Sequence, residues 1–163
     1  MASQNDFTTE EWALLLEAPM LAGMAVSAAE PSGLFGMLKE SFATGRLLVE
    51  AKADAGANGL VKAVAAAYAT AEGRGTASEG LRAKLGQGQP AEIKTRALDG
   101  LRQVAALLAG KASADAGAFK AWLNHVAAAV AEAAGEGGFL GFGGVKVSEA
   151  EKATLGEIGA ALA

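Results

Sequence analysis

Few residues in this 163-residue chain are equipped for chemistry: it holds one histidine, His125, and no cysteine. The missing thiols exclude disulfides, thiol catalysis and cysteine metal sites. His125 follows Trp122 and Leu123 on a helical stretch without an E-x-x-H pair, so a di-iron carboxylate bundle is excluded and a zinc site is short of strong ligands. Its plainest role is that of a surface or hydrogen-bonded imidazole. No serine stands in a nucleophile-elbow sequence. The glycine-rich run GEGGFLGFGG, residues 135–144, follows a helical pattern rather than a strand and lacks G-K-[ST], so it is not a phosphate loop. These absences point to a non-enzymatic protein.

The acids are more informative. Glu30, Glu40, Glu136, Glu149 and Glu151 fall near expected helix starts, where carboxylates cap free N–H groups and face the positive end of the helix dipole. Each such contact contributes about 0.3–1 kcal/mol. Glu17 is different, because it stands among LLL and APM in an apolar run. Once buried, it requires a base such as Lys39 or Arg46, or else it is protonated at neutral pH. Phe139, Leu140 and Phe142 in the glycine loop have two roles open to them. They either plug the end of a bundle where glycines let backbones approach, or stand partly exposed to dock a partner or a membrane interface.

The elements that must position these residues are helical. Thr8 and Glu11 read T-x-x-E, a capping box, with Phe7 placed as a hydrophobic staple, so a helix is expected from Thr9. It carries Trp12, Leu15, Leu16, Met20, Met24 and Val26 over much of its circumference, as a central helix does, and Pro19 predicts a kink. Leu34, Met37, Leu38, Phe42, Leu48 and Val49 extend a second apolar face to about residue 53, and DAGANG (54–59) reads as a turn. Leu60, Val61, Val64 and Tyr68 predict a third helix ending near Glu72. Residues 73–90, rich in glycine, read as a flexible connection holding at most a short helix from Ser78. Pro90 and Glu92 start a helix running to Gly110, and Ser113 and Asp115 cap the next, whose buried stripe is Phe119, Trp122, Leu123, Val126 and Val130. Ser148 and Glu151 form a second capping box, starting a last helix near Glu149. The expectation is an all-α chain, one domain over 1–163, built as a bundle of five or six helices. Both halves run Trp, apolar helix, acid, glycine, Phe/Leu, helix, an approximate internal repeat of two helical hairpins.

The C-terminal hairpin resembles that of the tellurite-resistance TerB family. The residues that carry the resemblance are Ala133, Ala134, Glu136, Gly137, Val147, Ser148 and Glu151, about a quarter of the chain counted as a segment. The family's aspartate before glycine is here Glu136, and Phe139 to Gly144 read as an insertion. The resemblance implies an all-helical fold and a stress-related role. It also implies that clustered acids, here Glu30, Glu136, Glu149 and Glu151, hold a divalent cation, and hard oxygen ligands suit Ca²⁺, Mg²⁺ or Mn²⁺.

Composition bounds the partners. With 52% hydrophobic but only 6% aromatic residues, the chain favours closely packed small side chains. Its net charge of −4 provides no general attraction for nucleic acid. The basic middle, with Arg74, Arg82, Lys84, Lys94, Arg96 and Arg102, has no interleaved aromatics and reads as a solvated face. No signal peptide is evident at the N-terminus, and residues 12–29 are interrupted by Glu17 and Pro19, which argues against a transmembrane span. A cytoplasmic protein is expected, with a protein partner, self-association or peripheral membrane contact as its modes of interaction.

Overall fold

A computed structural model describes residues 2–29, 44–135 and 147–163. Among these residues the chain is all-helical. A 3₁₀ turn at Gln4–Asp6 leads into α1 (Thr9–Ser27), followed by α2 (helical over 44–53), α3 (Gly59–Ala67), α4 (Ala71–Leu85), α5 (Pro90–Lys111), α6 (Ser113–Gly135) and α7 (Glu149–Leu162). Glu30, Lys39, Glu40, Glu136, Phe139, Leu140, Phe142 and the rest of the loop 137–144 lie outside the described residues.

The central element is α1, which packs most extensively on α5, α6 and α4 and also touches α7 and α3. Its start follows from local chemistry: the Glu11 N–H donates to Thr8 Oγ1 at 3.3 Å, the Thr8 N–H donates to Glu11 Oε2 at 2.8 Å, and Phe7 meets Trp12 with ring centroids 6.3 Å apart. That is the expected capping box and staple. Leu15, Leu16, Leu21 and Val26 are wholly buried or nearly so. Each such side chain contributes roughly 1.5–3 kcal/mol of transfer free energy. Pro19 sits inside α1 without ending it. Behind α1, α5 presents Ala97, Leu101, Val104 and Leu108, and α6 presents Phe119, Leu123, Val126 and Val130. These are the stripes expected from their spacing, and Ile158 and Leu162 of α7 join the same core.

The principal correction concerns residues 71–85. The connection read from composition over 73–90, with at most a short helix from Ser78, is instead helical through Leu85 as part of α4, and its irregular part shrinks to the few residues before Pro90. The third helix therefore stops at Ala67, and Thr70 caps the fourth, its Oγ1 accepting from the Gly73 N–H at 3.0 Å. Interior glycines cost about 1 kcal/mol each against alanine, which is why the segment does not look helical. Two of those glycines are the reason it packs. A Cβ at Gly73 would stand 2.2 Å from the Ala67 carbonyl oxygen, and one at Gly80 only 2.0 Å from Glu17 Oε1. The helix ends at Gly86, whose φ of 59° suits glycine, and Arg96 closes the α4–α5 turn by donating from Nη1 to the Leu85 carbonyl at 2.6 Å.

Gly73 and Gly75 occupy the same turn of α4, and nothing lies within 4 Å of a Cβ built on Gly75. Gly75→Ala is expected to raise stability by about 0.5–1 kcal/mol through helix propensity. Gly73→Ala, which drives a methyl into a backbone carbonyl, should lower it by about 1–3 kcal/mol. Urea unfolding of the two variants checks the opposite signs.

Candidate functional site

The expected acids separate into different tasks. Glu149 is exposed and pairs with Lys152 Nζ at 2.7 Å on its own helix. Glu151 is buried, and its Oε2 accepts from the Ser148 N–H at 2.7 Å while Ser148 Oγ accepts from the Glu151 N–H at 3.1 Å. The two carboxylates thus serve the start of α7, although Glu151 Oε1 is buried without a hydrogen-bond partner. Glu30 and Glu136 fall outside the described residues. Among the described residues no three His, Asp or Glu side chains are grouped so as to hold a metal ion.

Glu17 is buried, as its apolar neighbours predict; of its two expected bases, Lys39 lies outside the described residues and Arg46 is engaged elsewhere. Lys84 of α4 lies 3.3 Å from Glu17 Oε2, close enough for an ion pair though not aligned as a hydrogen bond, while Arg46 pairs with Glu50. The partner was hidden because α4 itself was. Beside this pair the Tyr68 hydroxyl donates to the Leu16 carbonyl. Burial, and then the charge of Glu17, push the Tyr68 phenol above its ordinary range and keep it protonated. Removing one member of such a pair strands a desolvated charge, so Glu17 and Lys84 read as a tie between α1 and α4.

Much of the basic middle of the chain is likewise engaged internally. Lys94 pairs with Glu157 at 2.7 Å and Arg102 with Asp99, Arg74 donates to the Tyr68 carbonyl at 2.8 Å, and Lys62 to the Ala55 carbonyl at 2.7 Å. This is a paired helix surface.

A cleft of about 300 Å³ opens between α2, α3 and α6. Its lining combines Leu47, Glu50 and Ala51 of α2, Asp54, Ala57 and Asn58 of the turn, Val61 of α3, and Ala118, Trp122 and His125 of α6. The turn is built locally, with Asp54 Oδ1 accepting from the Gly56 N–H at 2.8 Å. Asn58 then caps α3, its Oδ1 accepting from the Leu60 N–H at 2.9 Å. Its amide Nδ2 donates to Asp115 Oδ1 at 2.7 Å, and Asp115 Oδ2 accepts from the Ala2 N–H at 2.7 Å. Asp115 is thereby a junction between α6, α3 and the N-terminal turn rather than a cap of its own helix. The Ala2 N–H first, and the Asn58 amide second, hold its carboxyl below the usual aspartate range.

Two features of the cleft bear on binding. Among the described residues every formal charge on its lining is negative, from Glu50 and Asp54, with no lysine or arginine. Glu50 is already touched by the exposed Arg46 at 2.7 Å, an i,i+4 pair worth only about 0.3–0.5 kcal/mol. Trp122 meets buried Phe119 edge-on at 5.4 Å, and its Nε1 is buried without an acceptor. His125, on the rim, is exposed. It does not converge with Glu17, which faces Gly80 and Lys84 on α4.

A second hollow, about 510 Å³, lies between the N-terminal turn, α1 and the α3–α4 junction. The Thr8 and Thr70 hydroxyls on its lining are occupied in helix caps.

Sequence reading missed the cleft. Trp122 was counted with the core stripe and Asn58 with a turn. The available signal was Asn58 directly before an apolar helix, together with Glu50 and Asp54 spaced i,i+4 opposite Trp122 and His125. No helix among the described residues is long and apolar enough to cross a membrane. Comparison with known proteins finds no matching family model, no similar curated protein and no similar solved structure.

The Asp115 junction carries a pH signature. Because its folded pKa is depressed, its contribution is complete above the unfolded value of about 3.9 and is lost as pH falls through the folded one. Asp115→Asn should therefore destabilise the protein by about 1.5–3 kcal/mol at neutral pH, the range for hydrogen bonds to a charged group. The gap between wild type and variant should narrow below about pH 4. Urea unfolding across pH checks this, and curves that stay parallel would remove Asp115 from its junction role.

Proposed function

We propose that this chain is a non-enzymatic, TerB-like helical binding protein that holds a partner or a cation in a stress-related setting. The observation that carries this reading is the α2–α3–α6 cleft, a concave and largely apolar site that carries two carboxylates, Glu50 and Asp54, beside Trp122 and His125. Among the described residues no serine or threonine lines that cleft beside His125. Binding sites of small ligands occupy hollows of about 300–1,000 Å³, so the cleft is at the lower end of that range.

The two-hairpin reading is supported by parallels between the halves. Trp12 on α1 and Trp122 on α6 each contact a phenylalanine, Phe7 and Phe119 respectively. In this scheme α1 with the chain running to α2 forms one hairpin, and α6 with α7 the other. With Glu149 and Glu151 engaged at the start of α7, the divalent-cation form of the proposal rests on Glu30 and Glu136.

Thermal unfolding of chelated protein against Ca²⁺, Mg²⁺, Mn²⁺ and the amides of acidic, neutral and basic amino acids tests the binding reading. A ligand bound only by the folded state raises the midpoint, by the equivalent of about 2.7 kcal/mol at a hundredfold excess over Kd. At least one amide is expected to raise it in wild type and not in Ala118→Arg, whose added side chain fills the cleft, or else a metal ion is expected to raise it in wild type and not in Glu136→Gln. A panel without any shift contradicts the proposal.

A further inference from the structure

We propose that α4 is a strap over α1 that opens as a unit while the other described helices stay folded, and that the Glu17–Lys84 pair is its latch. The proposal is independent of what the cleft binds. Its first ground is what α4 is made of. Gly73, Gly75 and Gly80 all lie within its 15 residues, and each lowers the stability of the helix itself. Its buried residues are Gly73, Ala77 and Leu85, with Leu81 half-buried, whereas α5 buries Leu98, Leu101, Val104 and Leu108. Elements that bury little apolar surface open at free energies below that of global unfolding.

Polar ties hold what apolar surface does not. Just before α4, the Tyr68 hydroxyl donates to the Leu16 carbonyl, and near its end Lys84 Nζ stands 3.3 Å from the carboxylate of Glu17, the next residue of α1. Both ends of the strap therefore bear on one turn of α1. The Glu17 side chain is only 6% exposed and that of Lys84 26%. Burying two ions costs desolvation that their attraction roughly offsets, and both recover their water when the helix leaves. An apolar pair of the same shape would recover nothing. Glu17 and Lys84, with Gly80 leaving room for the carboxylate, thus fix where α4 sits without holding it tightly. The strap is bounded by the Thr70 cap at one end and by Gly86, with its φ of 59°, at the other. Its first turns, through Glu72, Gly73 and Thr76, also line the 510 Å³ hollow opposite Trp12 and Leu16, so opening α4 widens that hollow onto α1.

Native-state hydrogen exchange of the full chain at neutral pH, followed by NMR at low guanidinium concentrations, tests the proposal. The amides of α4 from Gly75 to Leu85 are expected to share one opening constant, at least about tenfold larger than that of the α5 amides from Leu101 to Leu108. Its denaturant dependence should be weaker, because less surface is exposed. Lys84→Met strands the buried carboxylate and should raise the α4 constant by about tenfold or more. Glu17→Met combined with Lys84→Met keeps the shape without the charges and should lower it about tenfold below wild type. Protection of α4 equal to that of α5, or α4 amides that open one by one, overturns the strap. A double variant that opens as readily as wild type, or more so, overturns the latch. The wild-type pattern decides the strap even where a variant fails to fold.

Discussion

The rest of the structure depends on the need to hide α1. Its 19 residues are apolar on almost every side, from Trp12 through Leu15, Leu16 and Leu21 to Val26, so one neighbouring helix cannot cover it. A helix with a single apolar stripe needs one partner, whereas one that is apolar all round must be surrounded. Here α4, α5 and α6 enclose it and α7 completes the cover. The same burial turns Glu17 into a constraint. A carboxylate inside such a helix requires a base, and Lys84 reaches it from α4 only because Gly80 leaves space for the glutamate's end.

Once α1 is enclosed, α2 and α3 are left to one side, and the cleft forms where they meet α6. Its geometry is set by hydrogen bonds together with the core residues Leu47, Ala51 and Val61. Asn58 starts α3 and simultaneously touches Asp115, which in turn holds the N-terminal turn. The scaffold around α1 is apolar, and the cleft beside it sets the carboxylates of Glu50 and Asp54 against apolar residues such as Leu47 and Val61, with Trp122 tied to the scaffold through its contact with Phe119. This division lets the lining of the cleft change chemistry without disturbing the helices that carry it.

Much of the fold was legible because it rests on local signals. Both capping boxes, Thr8 with Glu11 and Ser148 with Glu151, start helices at the expected residues, and the apolar stripes of α5 and α6 face the core as spaced. What failed was glycine. In α4 it marks close approach, to Ala67 at Gly73 and to Glu17 at Gly80, and a packing reason of that kind is invisible to propensity. The site was less legible still, because it joins residues far apart in the chain: Asn58 bonds Asp115, and Ala2 bonds the same carboxylate. Asp115 reads in sequence as a helix cap, and only tertiary placement redirects it.

The central claim, that α1 is the buried axis on which the fold is assembled, is tested most directly by native-state hydrogen exchange. Amides in the last element to open exchange only through global unfolding, while peripheral elements exchange through smaller openings. The account predicts that the amides of α1 from Leu15 to Val26 exchange with the free energy of global unfolding, together with those of α5 and α6 that face them. Exchange of α1 through a local opening while α5 and α6 stay protected would contradict it.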